Sequence, residues 1–321
     1  MPCFGKNLIH SPLIKGVLLI LVLGLGSACS EKTAPETMLI SATIFPLADW
    51  CRNIAPPEAR VVCLIAPNVS PHTFEPGIRE AKELSRSRLV VCVGKNFDGW
   101  VEPLIRGAQG KNTEILNLIE MEREEVHDLQ NQNPDRSSLH PHEDDDPEHN
   151  PHLWVDLIWA QGAILKISER LKQIWPEQSE IIEKRAQEYL LQLRDLHLEI
   201  TKTVAEFKYK SYVGFHGSLI PFARRYGLTE TASIEPWAGK EPSLDQAKRI
   251  VEILRGMEHP VIFVEPQLNK KAASVFAEEV GCPVLELDPL GDPNQPERNS
   301  YVKMMRYNLE SLKKGLSDNH G

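Results

Sequence analysis

The chain has 321 residues, of which 41% are hydrophobic and 25% are charged, and its net charge is -9. This length exceeds one compact domain and leaves room for two domains of common size. The acidic balance excludes the basic surface that nucleic-acid binding requires and suits cations as partners.

The N-terminal segment has the pattern of an export signal. Basic residues precede the apolar stretch GVLLILVLGLG, which is short for a membrane span, and small residues lead to Cys29. We predict a signal peptide over residues 1–28, acylation of Cys29 as in a bacterial lipoprotein, and a tether over residues 29–37. Gly26 stands where such signals usually have leucine, so a generic cleaved signal and an uncleaved anchor stay open as alternatives. The predicted location is the periplasm or the cell surface.

Strand-like and helix-like runs alternate through the first half of the chain. The runs MLISATIFPLADW, ARVVCLIAP, RLVVCVG and NTEILNL are typical of buried strands, and helical patterns such as REAKELSRS and DGWVEPLIRGA separate them. This series predicts a parallel sheet covered by helices, in a lobe spanning residues 38–175.

Four cysteines, Cys51, Cys63, Cys92 and Cys282, lie beyond the predicted lipid anchor. Their disulfide state stays open, because the sequence cannot choose partners. The chain has no CxxC spacing, so a zinc site held by thiolates is not expected.

A charged segment interrupts the pattern at residues 122–150. It contains SSLHPHEDDDPEHN, in which His140, His142 and His149 alternate with carboxylates. A segment that buries so little apolar surface is predicted to be a mobile loop. Imidazoles and carboxylates on such a loop can bind zinc weakly, so an auxiliary metal-binding role is one interpretation and a solvated charge run is the other.

The second half begins with helices and then returns to an α/β pattern. The run LWVDLIWAQGAILKISERLKQIW reaches Pro176, and apolar residues at every third or fourth position predict one long helix over residues 176–208. The runs SYVGFHG, PFARRYG, DQAKRIVEILRGM, PVIFVEP, NKKAASVFAEEVG, PVLELDPLG and YVKMMRYNLESLKK then predict a second α/β lobe over residues 209–321. Gly227 and Gly281 are placed as helix stops.

Four potential metal ligands, His72, His152, His216 and Asp288, lie far apart in the chain. Three of them follow strand-like runs, and open α/β sheets bind ligands outside the carboxyl ends of their strands. Three imidazoles and one carboxylate suit tetrahedral Zn²⁺, whereas Mn²⁺ favours more oxygen ligands. Taken singly, each residue has a structural alternative as a loop residue, a helix start, a core histidine or a turn former.

A family resemblance covers nearly all of the mature chain. It rests on APNVSPHTFEPGIREAKEL, NPHLWVDLIWA, GFHGSLIPFARRYGL, SIEPWAGKEPSLDQAKRIV, VIFVEPQLNKKAASVFAEEVG and LELDPLG. In this order the segments resemble the ZnuA-like, zinc-type family of metal solute-binding lipoproteins that serve ABC importers. The resemblance implies two (βα)4-type lobes with parallel sheets, joined by one long backbone helix, with metal held in the cleft. It also implies that His72 and His152 come from the first lobe, and His216 and Asp288 from the second.

The resemblance extends to residues beside the ligands. Asn150 stands where the family often has an aspartate before the Pro-His pair, and it is expected to act on a ligand and not on the metal. Glu265 ends the strand-like run VIFVEPQ at the same crevice, so it is predicted to orient a ligand or accept a hydrogen bond. Related manganese receptors commonly have glutamate at the third ligand position, so His216 favours zinc.

The predicted function is a high-affinity extracytoplasmic receptor that captures Zn²⁺ and delivers it to an ABC permease and its ATPase. It is expected to be a monomer tethered by lipid, to have no nucleic-acid partner, and not to be an enzyme. A manganese or iron receptor of the same family is the first alternative, and a metal-stabilised adhesin and a zinc hydrolase are the others. The sequence has neither HExxH nor GxSxG. Whether Asp288 or a water molecule is the fourth zinc ligand stays open. Zinc affinity is expected to fall as the pH drops through about 6.5, where histidine takes up a proton.

Overall fold

The computed structural model describes residues 38–108, 112–120, 150–235 and 241–317. The predicted signal peptide, the tether with Cys29, and the loop residues His140, His142 and His149 lie outside the described residues. Within the described ranges, no helix is both long enough and apolar enough to cross a membrane.

The first lobe is built on a parallel four-stranded sheet. Its strands are β1 (Leu39–Ala42), β2 (Arg60–Cys63), β3 (Leu89–Cys92) and β4 (Glu114–Asn117), and its helices are α1 (Phe45–Ile54), α2 (Ile78–Arg86), α3 (Lys95–Asp98) and α4 (Val101–Gly107). The strand order is β2-β1-β3-β4. Every residue of β1 and β3 is buried, as expected for central strands of a parallel sheet that helices cover.

The second lobe repeats this arrangement. Its strands are β5 (Ser211–Gly214), β6 (Thr229–Ser233), β7 (Ile262–Val264) and β8 (Val284–Glu286). Their order, β6-β5-β7-β8, and their parallel pairing match those of the first lobe. The two sheets confirm the predicted fold class.

Two helices, α5 (Leu157–Ile174) and α6 (Ser179–Ala205), lie between the lobes in the sequence, and three follow the strands of the second lobe. These are α7 (Ile220–Tyr226), α8 (Leu244–Gly256) and α9 (Lys270–Val280), and α10 (Tyr301–Leu316) closes the described chain. Gly227 and Gly281 end α7 and α9 with φ values of 72° and 79°, the left-handed region that favours glycine.

The long helix α6 contacts both lobes. It packs against α1 of the first lobe and against α7 and α10 of the second. Its 27 residues give a rod of about 40 Å at about 1.5 Å per residue. It is shorter than the predicted helix over residues 176–208, because Pro176 opens a separate 3-10 turn (Pro176–Gln178) and α6 ends at Ala205. Its buried residues recur at every third or fourth position: Ile182, Ala186, Tyr189, Leu193, Leu196, Ile200 and Val204.

The largest hydrophobic cluster includes residues of both lobes, and each lobe also has a smaller cluster of its own. Trp50 of α1 meets Tyr301 of α10 edge to face, with ring centroids 5.2 Å apart and ring planes at 82°. The Tyr301 backbone N–H donates to Asp49 Oδ2 at 2.9 Å, and the Tyr301 hydroxyl donates to the carbonyl of Trp154 at 2.6 Å. These buried contacts join the lobes independently of any metal.

The structure differs from the sequence predictions at two strands. The run MLISATIFPLADW contains both β1 and the start of α1, because Pro46 lies in the first turn of a helix, where its missing N–H is not needed. The strand β6 has no predicted counterpart, since its sequence TETAS lacks large apolar residues and it lies at the edge of the sheet.

The four cysteines of the described chain, Cys51, Cys63, Cys92 and Cys282, are free thiols. Burial raises the pKa of Cys51 to about 12 and that of Cys63 to about 11. Protonated thiols are poor nucleophiles and poor metal ligands, so these two side chains act as small hydrophobic groups.

Candidate metal centre

Three of the four predicted ligands meet at one point between the lobes. His72, His152 and His216 each offer a ring nitrogen, and these three atoms lie within 4.8 Å of one another. The Nε2 atoms of His72 and His152 are 3.1 Å apart, and the centroids of their rings are each 4.7 Å from the ring of His216. Ligands at about 2.0–2.1 Å from a tetrahedral ion are themselves about 3.3 Å apart. The group therefore has the dimensions of a metal site.

His72 comes from the connection between β2 and α2. It lies in a 3-10 turn (Pro71–Thr73) that opens with a proline, and its ring meets Phe97 edge to face at 5.2 Å. The residue is exposed overall, but burial of the imidazole among its neighbours lowers the pKa of His72. The proline and the aromatic contact together direct the ring toward the other two histidines.

His152 begins the chain that leads into α5, and Asn150 orients its ring. Asn150 Oδ1 accepts hydrogen bonds from the backbone N–H of His152 at 3.1 Å and from its Nδ1 at 2.8 Å. Because Nδ1 carries the proton in this contact, Nε2 is left with its lone pair free for a metal. The Asn150 amide Nδ2 donates to the carbonyl of Gly217 at 2.8 Å, so the same side chain reaches the second lobe.

His216 lies two residues beyond the carboxyl end of β5 and is 7% exposed. Its Nδ1 is buried and has no hydrogen-bond partner among the described residues. Among the described residues, Glu265 Oε1 is the carboxylate oxygen within ion-pair range of this atom, at 3.6 Å, and it accepts a hydrogen bond from the Ser218 hydroxyl at 2.6 Å. Glu265 follows β7, so two adjacent strands bring this pair to the crevice.

Burial sets the charge state of these groups. Burial and the neighbouring imidazoles of His216 and His72 hold the pKa of His152 well below its usual value. Burial and the His72 imidazole lower the pKa of His216 to about 4. Burial raises the pKa of Glu265 to about 8, although the Ser218 hydrogen bond acts in the opposite direction. At neutral pH the crevice therefore presents three neutral imidazoles beside a protonated acid, and neutral imidazole is the form that binds metal.

Asp288, the fourth predicted ligand, lies outside the histidine group. It is fully buried, and its Oδ1 accepts hydrogen bonds from Gln267 Nε2 at 2.9 Å and from the backbone N–H groups of Leu290 and Gly291 at 3.0 and 2.9 Å. Its Oδ2 lies 3.2 Å from an Arg298 guanidinium nitrogen. The turn after β8 thus satisfies Oδ1, whereas the buried Oδ2 has no hydrogen-bond partner among the described residues, and Gln267, which bonds Oδ1, lines the crevice.

The walls of the crevice are largely apolar. Phe97 and Trp154 line it from the first lobe and Leu268, Pro289 and Leu290 from the second. The cavity between them has a volume of about 10 Å³, which is the space of about one water molecule. The space therefore suits an ion and not an organic molecule.

Sequence reasoning missed two polar contributors, Ser218 and Gln267. Ser218 lies two residues after His216, and Gln267 lies two residues after Glu265, so both follow a residue that the strand-end rule had already selected. Short polar segments after a strand were therefore the signal that could have identified them.

The matched α/β lobes, the long helix between them and the crevice at the strand ends define the fold class of two-lobed metal receptors. The chain belongs to the family described as zinc-uptake complex component A, periplasmic (ZnuA), whose family model matches residues 40–315. This confirms the resemblance seen in the sequence.

Individual relatives are distant in sequence. The zinc-binding lipoprotein AdcA of Streptococcus pneumoniae is 24% identical over 298 residues, which cover 89% of this chain and 57% of AdcA. The chain thus spans little more than half the length of such curated relatives. The metal ABC transporter substrate-binding lipoprotein ScbA of Streptococcus cristatus is 26% identical over 318 residues, covering 94% of this chain and 97% of ScbA.

A solved structure supports the fold. The Zn(II)-bound ZnuA-like domain of Streptococcus pneumoniae AdcA matches with a TM-score of 0.69 and 21% identity, covering 88% of this chain and all of that domain. At this identity the match bears on the fold alone.

Proposed function

We propose that the protein is an extracytoplasmic receptor that captures one Zn²⁺ between its lobes and delivers it to an ABC importer. The observation that carries the proposal is the convergence of His72, His152 and His216 in one crevice. Membership of a zinc-uptake family and the names of AdcA and ScbA support the same assignment.

The donor set favours zinc over manganese. The three donors that converge are imidazole nitrogens, and the pKa shifts of His152 and His216 keep these two uncharged at neutral pH. The raised pKa of Glu265 keeps this carboxyl protonated at neutral pH in the metal-free crevice, so it offers no negative charge to a hard cation. Zinc accepts such nitrogen ligands readily, whereas manganese prefers oxygen.

Asp288 stays a prediction as the fourth ligand. To bind an ion in the crevice, the Asp288 carboxylate has to break the hydrogen bonds that it accepts from Gln267, Leu290 and Gly291. We infer that water completes the coordination in the arrangement described, and that Asp288 binds metal only after the turn following β8 rearranges.

Capture is expected to involve a small movement. Ligands from both lobes mean that zinc links the lobes, while the shared core and the contact between Trp50 and Tyr301 oppose a wide hinge opening. Local movement of a ligand-bearing loop then opens and closes the site. In this proposal acylated Cys29 holds the protein at a membrane beside the permease and its ATPase.

A zinc hydrolase fits the crevice less well. Catalytic zinc with three protein ligands keeps a position for water and room for a substrate. The cavity of about 10 Å³ accommodates an ion or a single water molecule, and aromatic and aliphatic side chains surround its polar groups. Binding and release of the ion itself is therefore the activity that the site supports.

Metal competition tests the choice of ion. The wild-type protein, purified without metal, is expected to bind one Zn²⁺ tightly and to prefer it to Mn²⁺ in a chelator-buffered titration. Replacing His216→Glu supplies an oxygen donor and should shift the Zn²⁺ to Mn²⁺ preference toward manganese by at least about tenfold. His197→Glu, on α6 and hydrogen-bonded to Tyr226, is the matched control. Unchanged zinc preference in the His216 variant would contradict the proposed role of the imidazole.

A further inference from the structure

A second cavity lies beside the histidine crevice. Its volume is about 160 Å³, whereas that of the crevice is about 10 Å³. Pro71 and Leu290 line both spaces, so the two cavities are neighbours. In another protein, an engineered cavity of about 150 Å³ takes up benzene. The second cavity therefore has room for a small organic molecule, which the crevice has not.

Both lobes form the walls of the second cavity. The start of α1 and the end of β2 form one wall, and the His72 loop, residues 64–77, forms another. The turn after β8 supplies a third wall from the second lobe. The apolar side chains that line these walls are Ile44, Phe45, Ile65, Val69, Pro71 and Leu290, and all but Val69 are buried. The cavity thus offers an apolar surface to the body of a ligand.

Two arginines make the second cavity positively charged. Arg52 of α1 and Arg79 of α2 line it, and both residues are exposed to solvent. Both guanidinium groups act to lower the pKa of the Cys63 thiol, which lines the same cavity, against the larger opposite effect of burial. Among the described residues that line the cavity, none is acidic. Because Arg79 Nε is paired with Glu80 at 2.7 Å, Arg52 is the arginine expected to bind an anion.

These features together define a class of ligand. An apolar space beside guanidinium groups fits a molecule that has an apolar body about the size of a benzene ring and one carboxylate, since arginine binds carboxylates through paired hydrogen bonds. An inorganic anion leaves the apolar walls uncovered, and a neutral hydrocarbon does not use the charge. We propose that the second cavity is a binding site for a small organic carboxylate, and that its occupation raises the affinity of the histidine crevice for zinc.

The coupling follows from the residues that the cavity shares with the crevice. Pro71 directly precedes His72 in the 3-10 turn that positions this imidazole. The backbone N–H of Leu290 donates to Asp288 Oδ1 at 3.0 Å. A molecule in the second cavity therefore touches the loop that carries one predicted zinc ligand and the turn that holds another. The binding of the carboxylate is independent of the proposed function, whereas its effect on zinc rests on that function.

The sign of the coupling follows from the arrangement of the walls. The three imidazoles converge in the same arrangement in which the His72 loop and the turn after β8 enclose the second cavity. In the described chain, one side-chain hydrogen bond, from Asn68 Nδ2 to Asp292 Oδ2 at 3.2 Å, joins this loop to the second lobe. A ligand that contacts both walls adds to this link and stabilises the arrangement that binds zinc. By linkage, zinc raises the affinity for the carboxylate by the same factor.

Titration of the metal-free, full-length chain with benzoate tests the site. Methyl NMR should show saturable shifts, and these should be largest at the methyl groups that line the cavity, those of Ile44, Ile65, Val69 and Leu290. Benzamide has the ring without the charge, and acetate has the charge without the ring. Each should bind at least about tenfold more weakly than benzoate. Absence of saturable shifts up to about 10 mM benzoate, or shifts centred elsewhere, would overturn the proposal.

Two variants separate the charge from the space. Arg52→Gln should weaken benzoate binding by about tenfold and leave benzamide binding unchanged. Arg60→Gln is the matched control, because Arg60 is an exposed arginine that pairs with Glu83 and does not line the cavity. Cys63→Met narrows the cavity without changing its charge, so both compounds should bind it more weakly. Thermal unfolding checks that each variant is folded. Equal benzoate affinity in the two arginine variants, or unchanged binding in Cys63→Met, would contradict the assigned site.

Zinc titration by chelator competition, at equal free zinc with and without saturating benzoate, tests the coupling. Benzoate should raise zinc affinity by about fivefold in the wild-type protein and in Arg60→Gln. The same benzoate concentration should have less effect on Arg52→Gln. Benzoate that binds and leaves zinc affinity unchanged or lowered would overturn the coupling. A protein that binds benzoate but not zinc would refute the proposed function and leave the cavity site intact, and tight zinc binding without benzoate binding would do the reverse.

Discussion

The segment that carries His152 and the loop that carries His72 meet at the same crevice but are held in different ways. Besides the hydrogen bond from the Tyr301 hydroxyl to the Trp154 carbonyl, the His152 segment, residues 150–156, is bonded to the second lobe at three further places. These bonds are Asn150 Nδ2 to the Gly217 carbonyl at 2.8 Å, Trp154 Nε1 to the Pro289 carbonyl at 2.7 Å, and Arg225 Nη2 to Asp156 Oδ2 at 2.7 Å. Two of these partners directly follow His216 and Asp288 in the sequence.

The His72 loop, residues 64–77, is held more loosely. Among the described residues, one of its side chains hydrogen-bonds to the second lobe, Asn68 Nδ2 to Asp292 Oδ2 at 3.2 Å. His72 is exposed, whereas His152 and His216 are 6% and 7% exposed. Under the proposed function, we predict from this difference that His152 and His216 form a fixed pair before metal arrives and that His72 closes the site. Entry and release of zinc are then controlled at the His72 loop.

The largest expected changes in zinc affinity come from replacing one predicted ligand in each region. His152→Ala should lower zinc affinity by more than about 100-fold, beyond the range typical of residues that only orient ligands. His72→Ala should cost less, because the fixed pair and water still bind the ion and part of the binding energy no longer goes into ordering the loop. Competition against a fluorescent zinc chelator measures both. Equal losses, or a greater loss for His72→Ala, would contradict the distinction between fixed pair and closing loop.

Two substitutions of Asn150 separate its two roles, which are to orient the His152 ring and to bond the Gly217 carbonyl of the second lobe. Asn150→Ala removes both, so zinc affinity should fall by about 10- to 100-fold. Asn150→Asp keeps an acceptor for His152 Nδ1 but removes the donor to the Gly217 carbonyl. It should retain most zinc affinity and lose about 0.5–1.5 kcal/mol of metal-free stability, the usual net contribution of one hydrogen bond, because Gly217 is only partly buried.

Calorimetric titration and metal-free thermal unfolding, run on both Asn150 variants, check this. If the aspartate variant is as stable as the wild type, the cross-lobe hydrogen bond does not hold the His152 segment in place.

The contrast between these regions also shows how far sequence reasoning reaches. The placement of His72 and His216 after strands follows from periodicity and from the rule that ligands gather at strand ends, and the structure brings both to the crevice. The same rule selected Asp288, but it does not tell whether a strand-end carboxylate faces the crevice or is bonded by its own turn. Here the backbone N–H groups of Leu290 and Gly291 bind it. That outcome depends on the turn conformation, which residue type and spacing do not specify.

The burial of a histidine side chain is equally hard to predict from the sequence. The composition of a strand end does not reveal how deeply a histidine is packed, so the unperturbed value near 6.5 is the natural expectation for proton competition with zinc. In the structure, burial lowers the pKa of His216 to about 4. The loss of zinc affinity with acid should therefore begin at a lower pH than the sequence suggested.

The pH dependence of metal-free stability tests the environment of the fixed pair. The pKa of Glu265 is raised to about 8, so from about pH 7.5 to about pH 8.5 its carboxyl still holds part of its proton in the folded state and has lost it in the unfolded state. The unfolded state binds fewer protons, and stability falls as the pH rises through this window. The three histidines act in the opposite direction near pH 6.5, because they are neutral in the folded state and partly protonated in the unfolded state, and their contribution fades above about pH 7.5.

Glu265→Gln cannot ionise, so its Tm should decline less between about pH 7.5 and about pH 8.5 than that of the wild-type protein. Thermal unfolding of both proteins in metal-free buffers of constant ionic strength gives the comparison. A Tm that declines equally in the two proteins would mean that Glu265 is already ionised in the fold.

The smallest changes in stability and zinc affinity are expected when the ion pair between Arg225 and Asp156 is removed. Both nitrogens of the Arg225 fork reach the carboxylate, at 2.9 and 2.7 Å, but the arginine side chain is 39% exposed. Arg225→Met should therefore lower metal-free stability by about 1 kcal/mol at most and change zinc affinity by less than about tenfold. Arg255→Met is the control, because Arg255 pairs with Glu279 inside the second lobe. Since only the first pair joins the lobes, Arg225→Met should raise hydrogen exchange in residues 150–156 and Arg255→Met should not. Equal exchange in the two variants would show that this ion pair adds nothing to the fixed position of His152.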